Sequence, residues 1–580
     1  MSEQVARTYG SIEKAQSGWL VTDLEPHVSL RFKKIFPRIK ATARPPFLLE
    51  GGPSIDADLV WFMQRYPLRM KDCERVDMEV RKTLFETQQA ELASILSTDW
   101  MPSRNSGFRP SQKPYGYQAQ AAEIARRMGR LLLMDDLGLG KTVSAFAAIT
   151  DKDFLPALIV PQTHLVRQWA AKLREFTHLT SHNFKQMTPY PLPQADVYIC
   201  PYSKLGGWID FADQGGFKSV IFDEMQELRH GVGTDKGQAA RAFAQNARLV
   251  MGLTATPIYN YGSEIFEIIN FLEPGALGSW IEFQIEWCKP GPGGKWLVED
   301  PAALGTYLRE RHLALRRTDT DIGHAMPPLN VVTHDVPFDS EVIDSEEALM
   351  RDLALRVTTS QSFTDRGQAA REFDMRMREA TGIAKAPHVA AFVNLLLEAG
   401  EPVLLVGWHR AVYDIWLEKL TKHNPVLFTG TESPAQKEKT KEAFCSGATN
   451  LMIMSLRSGA GLDGLQHRGR TIVFGELDWS PQVHAQCCGR LRRPGQQRQV
   501  DAIYLHTDGG SDPSVMSVLG LKASQSAGIV DPLSAPKDQH SDTTRIRELA
   551  ERFLAGRSHV GSAETPPLPR TVRPMQPALL

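Results

Sequence analysis

The stretch that most constrains this chain is residues 131–142, Leu-Leu-Leu-Met-Asp-Asp-Leu-Gly-Leu-Gly-Lys-Thr. Its four leading apolar residues predict a buried strand, the glycine-rich segment a tight turn, and the run 143–149 (Val-Ser-Ala-Phe-Ala-Ala-Ile) an amphipathic helix. A strand, a glycine turn and Gly-Lys-Thr opening a helix are the context a phosphate-binding loop requires. Backbone N–H groups around Gly138, Leu139 and Gly140 would face phosphate oxygens, and the dipole of the following helix favours negative charge there. Lys141 can then reach the β- and γ-phosphates, and the Thr142 hydroxyl can take a place on Mg²⁺. The usual first glycine of such a loop is Asp135 here, and Gly-Lys-Thr also occurs in ordinary turns. The loop therefore needs partners elsewhere in the chain.

Strands and helices alternate on both sides of it. Gln118 precedes a helix with Ala121, Ile124, Ala125 and Met128 on one face, and short apolar strands are expected at 131–134, 157–160, 197–200, 219–222 and 249–252. A second regular block spans 381–507, with strands at 403–406, 451–454, 472–474 and 502–505. Val389, Phe392, Val393, Leu396 and Leu397 make one helix face there, as do Val412, Ile415, Trp416 and Leu420 with Lys419 at the edge. Alternation of this kind implies two parallel sheets covered on both faces, with ligands at the C-terminal strand ends. The expected division is 1–112 as an accessory domain, 113–270 as a first lobe and 271–380 as a connector with helices near 302–315 and 341–374. A second lobe at 381–530 and a C-terminal helix with a Pro-, Ser- and Thr-rich, disordered tail at 531–580 complete it.

A length of 580 residues leaves room for roughly three or four domains. Net charge is −1, so a nucleic-acid site must be a local patch. Segment 31–44 (Arg-Phe-Lys-Lys-Ile-Phe-Pro-Arg-Ile-Lys-Ala-Thr-Ala-Arg) is such a cluster, suited to phosphate contacts or equally to a solvated face over a small core. The six cysteines (Cys73, Cys200, Cys288, Cys445, Cys487 and Cys488) form no C-x-x-C pair and have no histidine at metal spacing, so no structural zinc and a reducing compartment are expected. The N-terminus lacks the apolar segment of a signal peptide, and no apolar run approaches the ~18–20 residues of a membrane span. An intracellular soluble protein with no membrane partner is the expectation.

Asp223-Glu224 closes the apolar strand at 219–222. In a nucleoside triphosphatase such a pair divides labour, the first carboxylate ordering Mg²⁺ and its waters and the second polarising the attacking water. Alone the pair is usually structural; downstream of Gly-Lys-Thr on a later strand, the chemical reading gains. Thr254 and Thr256, in Leu253-Thr-Ala-Thr-Pro257, can relay nucleotide state to a second lobe or simply cap a proline-terminated strand. Near the other end, Gln486-Cys-Cys-Gly-Arg490-Leu-Arg492-Arg493-Pro-Gly-Gln496 places Arg490 and Arg493 at i and i+3. On one helix face these can point together at a γ-phosphate, although an arginine cluster by itself is more often solvated surface.

Taken in order, these stretches resemble the superfamily-two helicase motor and, within it, the Swi/Snf-type family of double-stranded DNA translocases, over about residues 113–530. Tyr117-Gln118 resembles the family's adenine-reading motif, and 135–142 is similar to its Asp-Glu-Met-Gly-Leu-Gly-Lys-Thr, which also lacks the first glycine. Segments 158–169 with Gln162, and 196–203 with Tyr202 and Ser203, match those that line the DNA path. Asp223-Glu-Met-Gln226 stands where the family has Asp-Glu-Ala-His; 253–260, 403–409, 455–465 with Ser455 and Arg457, and 486–496 match the later motifs. Leu315-Arg-Arg-Thr318 with Met326-Pro-Pro328 resembles the link between lobes.

The resemblance implies an α/β fold of two tandem RecA-like parallel-sheet lobes with an ATP cleft between them, flanked by an N-terminal accessory domain and a helical connector. It implies a DNA-dependent, helicase-like ATP hydrolase using ATP and Mg²⁺. Catalysis would fall to Lys141, Asp223, Glu224, Arg490 and Arg493, with nucleotide contacts from Tyr117, Gln118, Gly138, Leu139, Gly140 and Thr142. Metal binding would fall to Thr142 and Asp223, coupling to Gln226, Thr254 and Thr256, and DNA contacts to Gln162, Tyr202, Ser203, Ser455 and Arg457. Three departures stand out: Gln226 and Arg492 each replace a histidine, and Asp463-Gly464 stands where the family usually has Asn-Leu. No segment resembles a bromodomain, chromodomain or zinc finger, which favours a compact bacterial, phage or mobile-element motor, cytoplasmic and nucleoid-associated. The expected partner is duplex DNA, largely sequence-independent, with protein partners through 1–112. An RNA- or polymerase-directed ATPase of the same superfamily and a non-hydrolysing nucleotide-binding scaffold are the alternatives.

Overall fold

The computed structural model describes residues 7–517 other than 98, 103–106, 213–215, 256–261, 292–293, 319–320, 323–326, 361, 458–461 and 494, together with 519, 550, 551 and 554. An N-terminal unit pairs three antiparallel strands, β1 (Ser11–Ala15), β2 (Gly18–Thr22) and β3 (Phe47–Glu50), with helices α1 (Pro26–Ile35) and α2 (Pro53–Arg65). Alternation along β2 turns Trp19 and Val21 inward onto Val28, Phe32, Leu59 and Phe62. The buried Asp56 carboxylate accepts from Trp19 Nε1 at 2.6 Å and pairs with Arg81 at 2.6 Å, so its charge is compensated. The basic segment 31–44 divides by face: Phe32 and Phe36 enter this core, whereas Arg31, Lys34, Lys40 and Arg44 are exposed. Arg38 instead reaches the Glu286 carboxylate at 2.9 Å and the Ala276 carbonyl at 3.0 Å, docking the unit onto the first lobe.

Helix α3 (Asp72–Ile95) belongs to both bodies. Met78 packs in the N-terminal core, while Leu92 and Ile95 pack with Phe108 in the core of the first lobe. The boundary expected at 112 is therefore displaced into α3, because apolar residues at the two ends of one helix serve different cores.

In the first lobe the strands are β4 (Arg130–Leu133), β5 (Ala157–Val160), β6 (Ser181–Asn183), β7 (Val197–Ile199), β8 (Ser219–Asp223) and β9 (Leu249–Leu253). A hairpin of β10 (Cys288–Pro290) and β11 (Trp296–Val298) follows, and β12 (Ala314–Leu315) completes the sheet in the order β12-β4-β9-β8-β5-β7-β6, all parallel. Helices cover both faces, which is why the five strands expected from sequence read as unbroken apolar runs. The edge strands β6 and β12 lack that signal, one being Ser-His-Asn and the other two residues long.

The second lobe comprises β13 (Leu329–Asp335), β14 (Val403–Gly407), β15 (Val426–Phe428), β16 (Leu451–Ser455), β17 (Thr471–Phe474) and β18 (Val500–His506), in the parallel order β13-β18-β17-β14-β16-β15. The expected 271–380 connector is thus divided between the lobes. Leu304, Leu308 and Ala314 share the first lobe's core, and β13 pairs with β18 over seven residues. The helix Phe363–Glu398 crosses the boundary expected at 381. Phe373 and Met377 pack on the helix Glu347–Thr359, and Val389, Val393 and Leu397 pack on the second sheet. Its most apolar window has a mean hydropathy of 1.3 and is 56% buried within the fold, the condition of a core helix. Of the expected C-terminal helix, Ala550 and Leu554 pack against the same helical layer; the rest lies outside the described residues.

Candidate active site

Strand order puts β4, β9 and β8 side by side, so the loops at their C-terminal ends are neighbours. The loop after β4 leads into α5 (Lys141–Ile149) through two glycines in left-handed backbone, Gly138 at φ 94° and Gly140 at φ 73°. A Cβ on Gly140 would also lie 2.6 Å from Gln118 Nε2. The left-handed backbone is what favours glycine there, and a Cβ would in addition displace the Gln118 amide. Gln118 and Tyr117, in helix α4 (Gly116–Met128), each donate to the Leu139 carbonyl at 2.9 Å and hold the loop from behind. Lys141 Nζ donates to the Asp135 carbonyl at 2.6 Å and the Asp136 carbonyl at 3.3 Å. Burial lowers the pKa of this ammonium, with Glu224 and Asp135 opposing the shift.

Asp135, the residue in the missing-glycine position, is 0% exposed. Its carboxylate accepts from the Arg317 guanidinium at 2.5 and 3.1 Å and from the Arg317 backbone N–H at 3.0 Å. Arg317 also donates to the Tyr117 carbonyl and lies 5.3 Å over the Tyr117 ring. Next to it, Arg316 bonds the Asp136 carboxylate at 2.7 Å and the Met134 carbonyl at 2.8 Å. Two arginines leaving β12 thus clamp the two acids of the loop. Sequence reasoning noted the Arg-Arg pair only as a link between lobes; the signal was two adjacent cations facing two adjacent acids.

Asp223 ends β8, and Glu224 follows in left-handed backbone at φ 50°. Helix α6 (Val166–Phe176) brings Trp169 Nε1 to Asp223 Oδ2 at 2.7 Å. Burial raises the Asp223 pKa above the ordinary carboxylate range, reinforced by Glu224 and opposed by Trp169 and Lys141. Gln226 Nε2 donates to Glu224 Oε2 at 2.5 Å, and Gln226 Oε1 is buried without a partner among the described residues. Thr254 is buried at the end of β9 with its N–H on the Leu133 carbonyl at 3.1 Å; Thr256 lies outside the described residues.

One cavity of about 710 Å³ between the lobes is lined by Tyr117, Gln118, Gly138, Gly140, Lys141, Thr142, Asp223, Glu224, Arg490 and Arg493. Leu139 is buried and does not line this cavity; its carbonyl is taken by Tyr117 and Gln118. The two arginines do not share a helix face as expected. The helix Pro481–Cys488 ends at Gly489, and both side chains enter the cleft from the turns that follow. Burial, with Arg493 alongside, lowers the Arg490 pKa to about 9. Asp463 bridges the lobes, taking Lys172 of α6 at 3.0 Å and Arg493 at 3.1 Å. Burial alone would raise this carboxyl, but Lys172 and Arg493 hold it well below the ordinary carboxylate range.

The expected DNA contacts separate into two groups. Tyr202 and Ser455 are each 5% exposed, and the Tyr202 hydroxyl donates to the Asp223 carbonyl at 3.0 Å, so neither side chain is presented to a ligand on the surface. Ser455 ends the buried strand β16, and Tyr202 opens the short helix Tyr202–Leu205 that follows β7. Ser203 is exposed and bonded to Thr163 at 2.9 Å, and Gln162 is half-buried on Glu227 at 3.2 Å. Arg457 is 57% exposed, pairs with Asp478 at 3.0 Å and lies 5.1 Å over the Trp408 ring.

A family model for the SNF2-related domain matches residues 69–380, more than half of the chain. The chain belongs to the SNF2-related family. Its relatives include "SWI/SNF-related matrix-associated actin-dependent regulator of chromatin subfamily A-like protein 1" of Drosophila melanogaster, 26% identical over 70% of this chain and 54% of that protein. "DNA annealing helicase and endonuclease ZRANB3" of Bos taurus is 25% identical over 69% of this chain and 38% of that protein. "Uncharacterized ATP-dependent helicase YqhH" of Bacillus subtilis is 24% identical over 71% and 78%. The chain spans 54% of the length of the first of these relatives and 38% of the second. Among solved structures, the Sulfolobus solfataricus SWI2/SNF2 ATPase core in complex with dsDNA matches over 78% of this chain and 97% of that one, at 18% identity and a TM-score of 0.37.

Proposed function

We propose that this chain hydrolyses ATP in the interlobe cleft and uses the cycle to translocate on duplex DNA, remodelling it or displacing bound protein rather than separating strands. The observation that carries the reading is the single cavity in which the Lys141 loop, the Asp223-Glu224 pair and Arg490 with Arg493 meet from two lobes. A triphosphate fits that donor set: glycine-loop N–H groups and Lys141 for the phosphates, and second-lobe arginines for charge developing on the transferred group. Asp223 and the Thr142 hydroxyl would hold Mg²⁺, which when bound offsets phosphate charge. An ion of this kind takes one or two carboxylates and completes its shell with phosphate oxygens and water.

Glu224 accepts a proton from the attacking water as the new P–O bond forms and the β–γ bridging bond breaks, leaving ADP and phosphate. Gln226 holds Glu224 Oε2 and so orients the base. DNA contacts of this kind are mostly to phosphates and hence sequence-independent. Support for DNA comes from membership of the SNF2 family and from a relative named as a DNA annealing helicase. Exposed Ser203 and Arg457, with the N-terminal cations Arg31, Lys34, Lys40 and Arg44, are the contacts we propose. The N-terminal unit is the proposed site for protein partners.

Phosphate release from ATP with Mg²⁺, measured with duplex DNA, single-stranded DNA, RNA or no nucleic acid, tests the reading. Duplex-stimulated turnover that is lost in Lys141→Ala, together with displacement of a third strand from a triplex, is expected. Turnover that survives in Lys141→Ala would overturn the site, and stimulation by RNA alone would overturn the DNA assignment.

A further inference from the structure

We propose that Asp463 is a positioning residue of the cleft, holding the second lobe's Arg493 at the phosphate end and tying it to Lys172 of the first lobe, so that lobe closure and arginine placement are one event. The proposal rests on the ATPase reading above. Each Asp463 oxygen takes a different cation: Oδ1 lies 3.1 Å from Arg493 and Oδ2 lies 3.0 Å from Lys172. The carboxylate is aimed by its own turn. Gly464, in left-handed backbone at φ 96°, donates its N–H to Asp463 Oδ1 at 3.0 Å. Asp463 also lines the cavity that holds Lys141 and Glu224.

The first-lobe end of the bridge leads back to the chemistry. Trp169 and Lys172 lie at i and i+3 on α6 and so share one helix face. Through Trp169 that face touches the Asp223 carboxylate, and through Lys172 it touches the second lobe. A shift of the second lobe therefore moves Arg493 and pulls on the helix that orients Asp223. A carboxylate is needed because it can accept from two cations at once and neutralise charge between them. The amide of an asparagine, with one acceptor oxygen and no charge, cannot do both.

The test uses the full chain with ATP, Mg²⁺ and duplex DNA. Asp463→Asn is expected to lower kcat by about 100-fold, the cost of a ~1 Å misplacement of a catalytic group, with KM for ATP within about 3-fold of wild type. Lys172→Met, at a partly exposed position, is expected to fold as wild type and to lower kcat by about 10-fold. The double variant should be no slower than Asp463→Asn alone, since both changes break one bridge. Asp463→Glu, which restores the charge, should recover at least about 10-fold. Small-angle scattering should show the ATP-bound compaction of wild type reduced in Lys172→Met. A kcat in Asp463→Asn close to wild type, or a double variant whose loss is the product of the two single losses, would overturn the proposal. Absence of turnover in wild type would instead overturn the ATPase reading, and this inference with it.

Discussion

Consider Arg317→Met, which keeps the apolar stem and removes the guanidinium two residues past β12. In the native protein the Asp135 carboxylate is 0% exposed and is bonded by the Arg317 guanidinium at 2.5 and 3.1 Å and by the backbone N–H of the same residue at 3.0 Å. Methionine keeps the backbone donor and the stem but leaves a buried charge without its cation. Breaking a buried pair in this way costs about 3–5 kcal/mol. The surviving backbone bond offsets ~1 kcal/mol, so a loss of about 2–4 kcal/mol is expected in the first lobe. At ~2–4 °C per kcal/mol for a lobe of this size, Tm should fall by roughly 4–16 °C. Lys141 hydrogen-bonds the carbonyl of the same Asp135, so binding of a fluorescent ATP analogue should weaken as the loop loosens. The double variant Asp135→Asn/Arg317→Met holds no buried charge and should regain about half or more of the lost stability, a strongly non-additive pair. Thermal unfolding followed by circular dichroism, with analogue binding alongside, reads both effects. A Tm for Arg317→Met equal to wild type, or strict additivity in the double variant, would refute the reasoning.

Gly140→Ala forces left-handed backbone on a residue with a Cβ and drives that Cβ to within 2.6 Å of Gln118 Nε2. A cost of about 1–2 kcal/mol in stability and a raised KM for ATP are expected, checked by urea unfolding and steady-state kinetics. His484 is buried and its pKa is lowered to about 4, with burial the main cause and Asp478 opposing it. The unfolded chain binds this proton near its ordinary pKa of about 6.5, so between those values the unfolded state carries more protons. Stability is therefore full above pH ~6.5 and falls by up to about 3 kcal/mol as pH drops toward 4. His484→Gln should flatten that part of the stability curve measured by urea unfolding from pH 7.5 to 4.5, and an unchanged slope would show that another group is responsible.

Much of the frame was legible because parallel strands buried on both faces leave continuous apolar runs, as in β5, β8, β14 and β16. What escaped was whatever lacks that pattern. All seven residues of β13 are exposed at a sheet edge, so no apolar signal marks it. Helix α3 carries core residues at both ends and a solvated middle, which hid the domain boundary. Tyr202 and Ser455 stand in motifs expected to line a DNA path, yet both side chains turn inward. A hydroxyl in a motif does not reveal whether its side chain faces the core or the surface.

The sequence alone determined the local chemistry of the phosphate loop: strand, left-handed glycines, Lys141 and Thr142 follow one another within a few covalent bonds. Only the tertiary structure decided what that loop is joined to. Arg317 lies far along the chain from Asp135, and Asp463 joins Lys172 of the first lobe to Arg493 of the second. Pairs like these depend on where β12 inserts and how the lobes meet, and no periodicity or spacing along a chain encodes the distance between charges on elements so far apart in sequence.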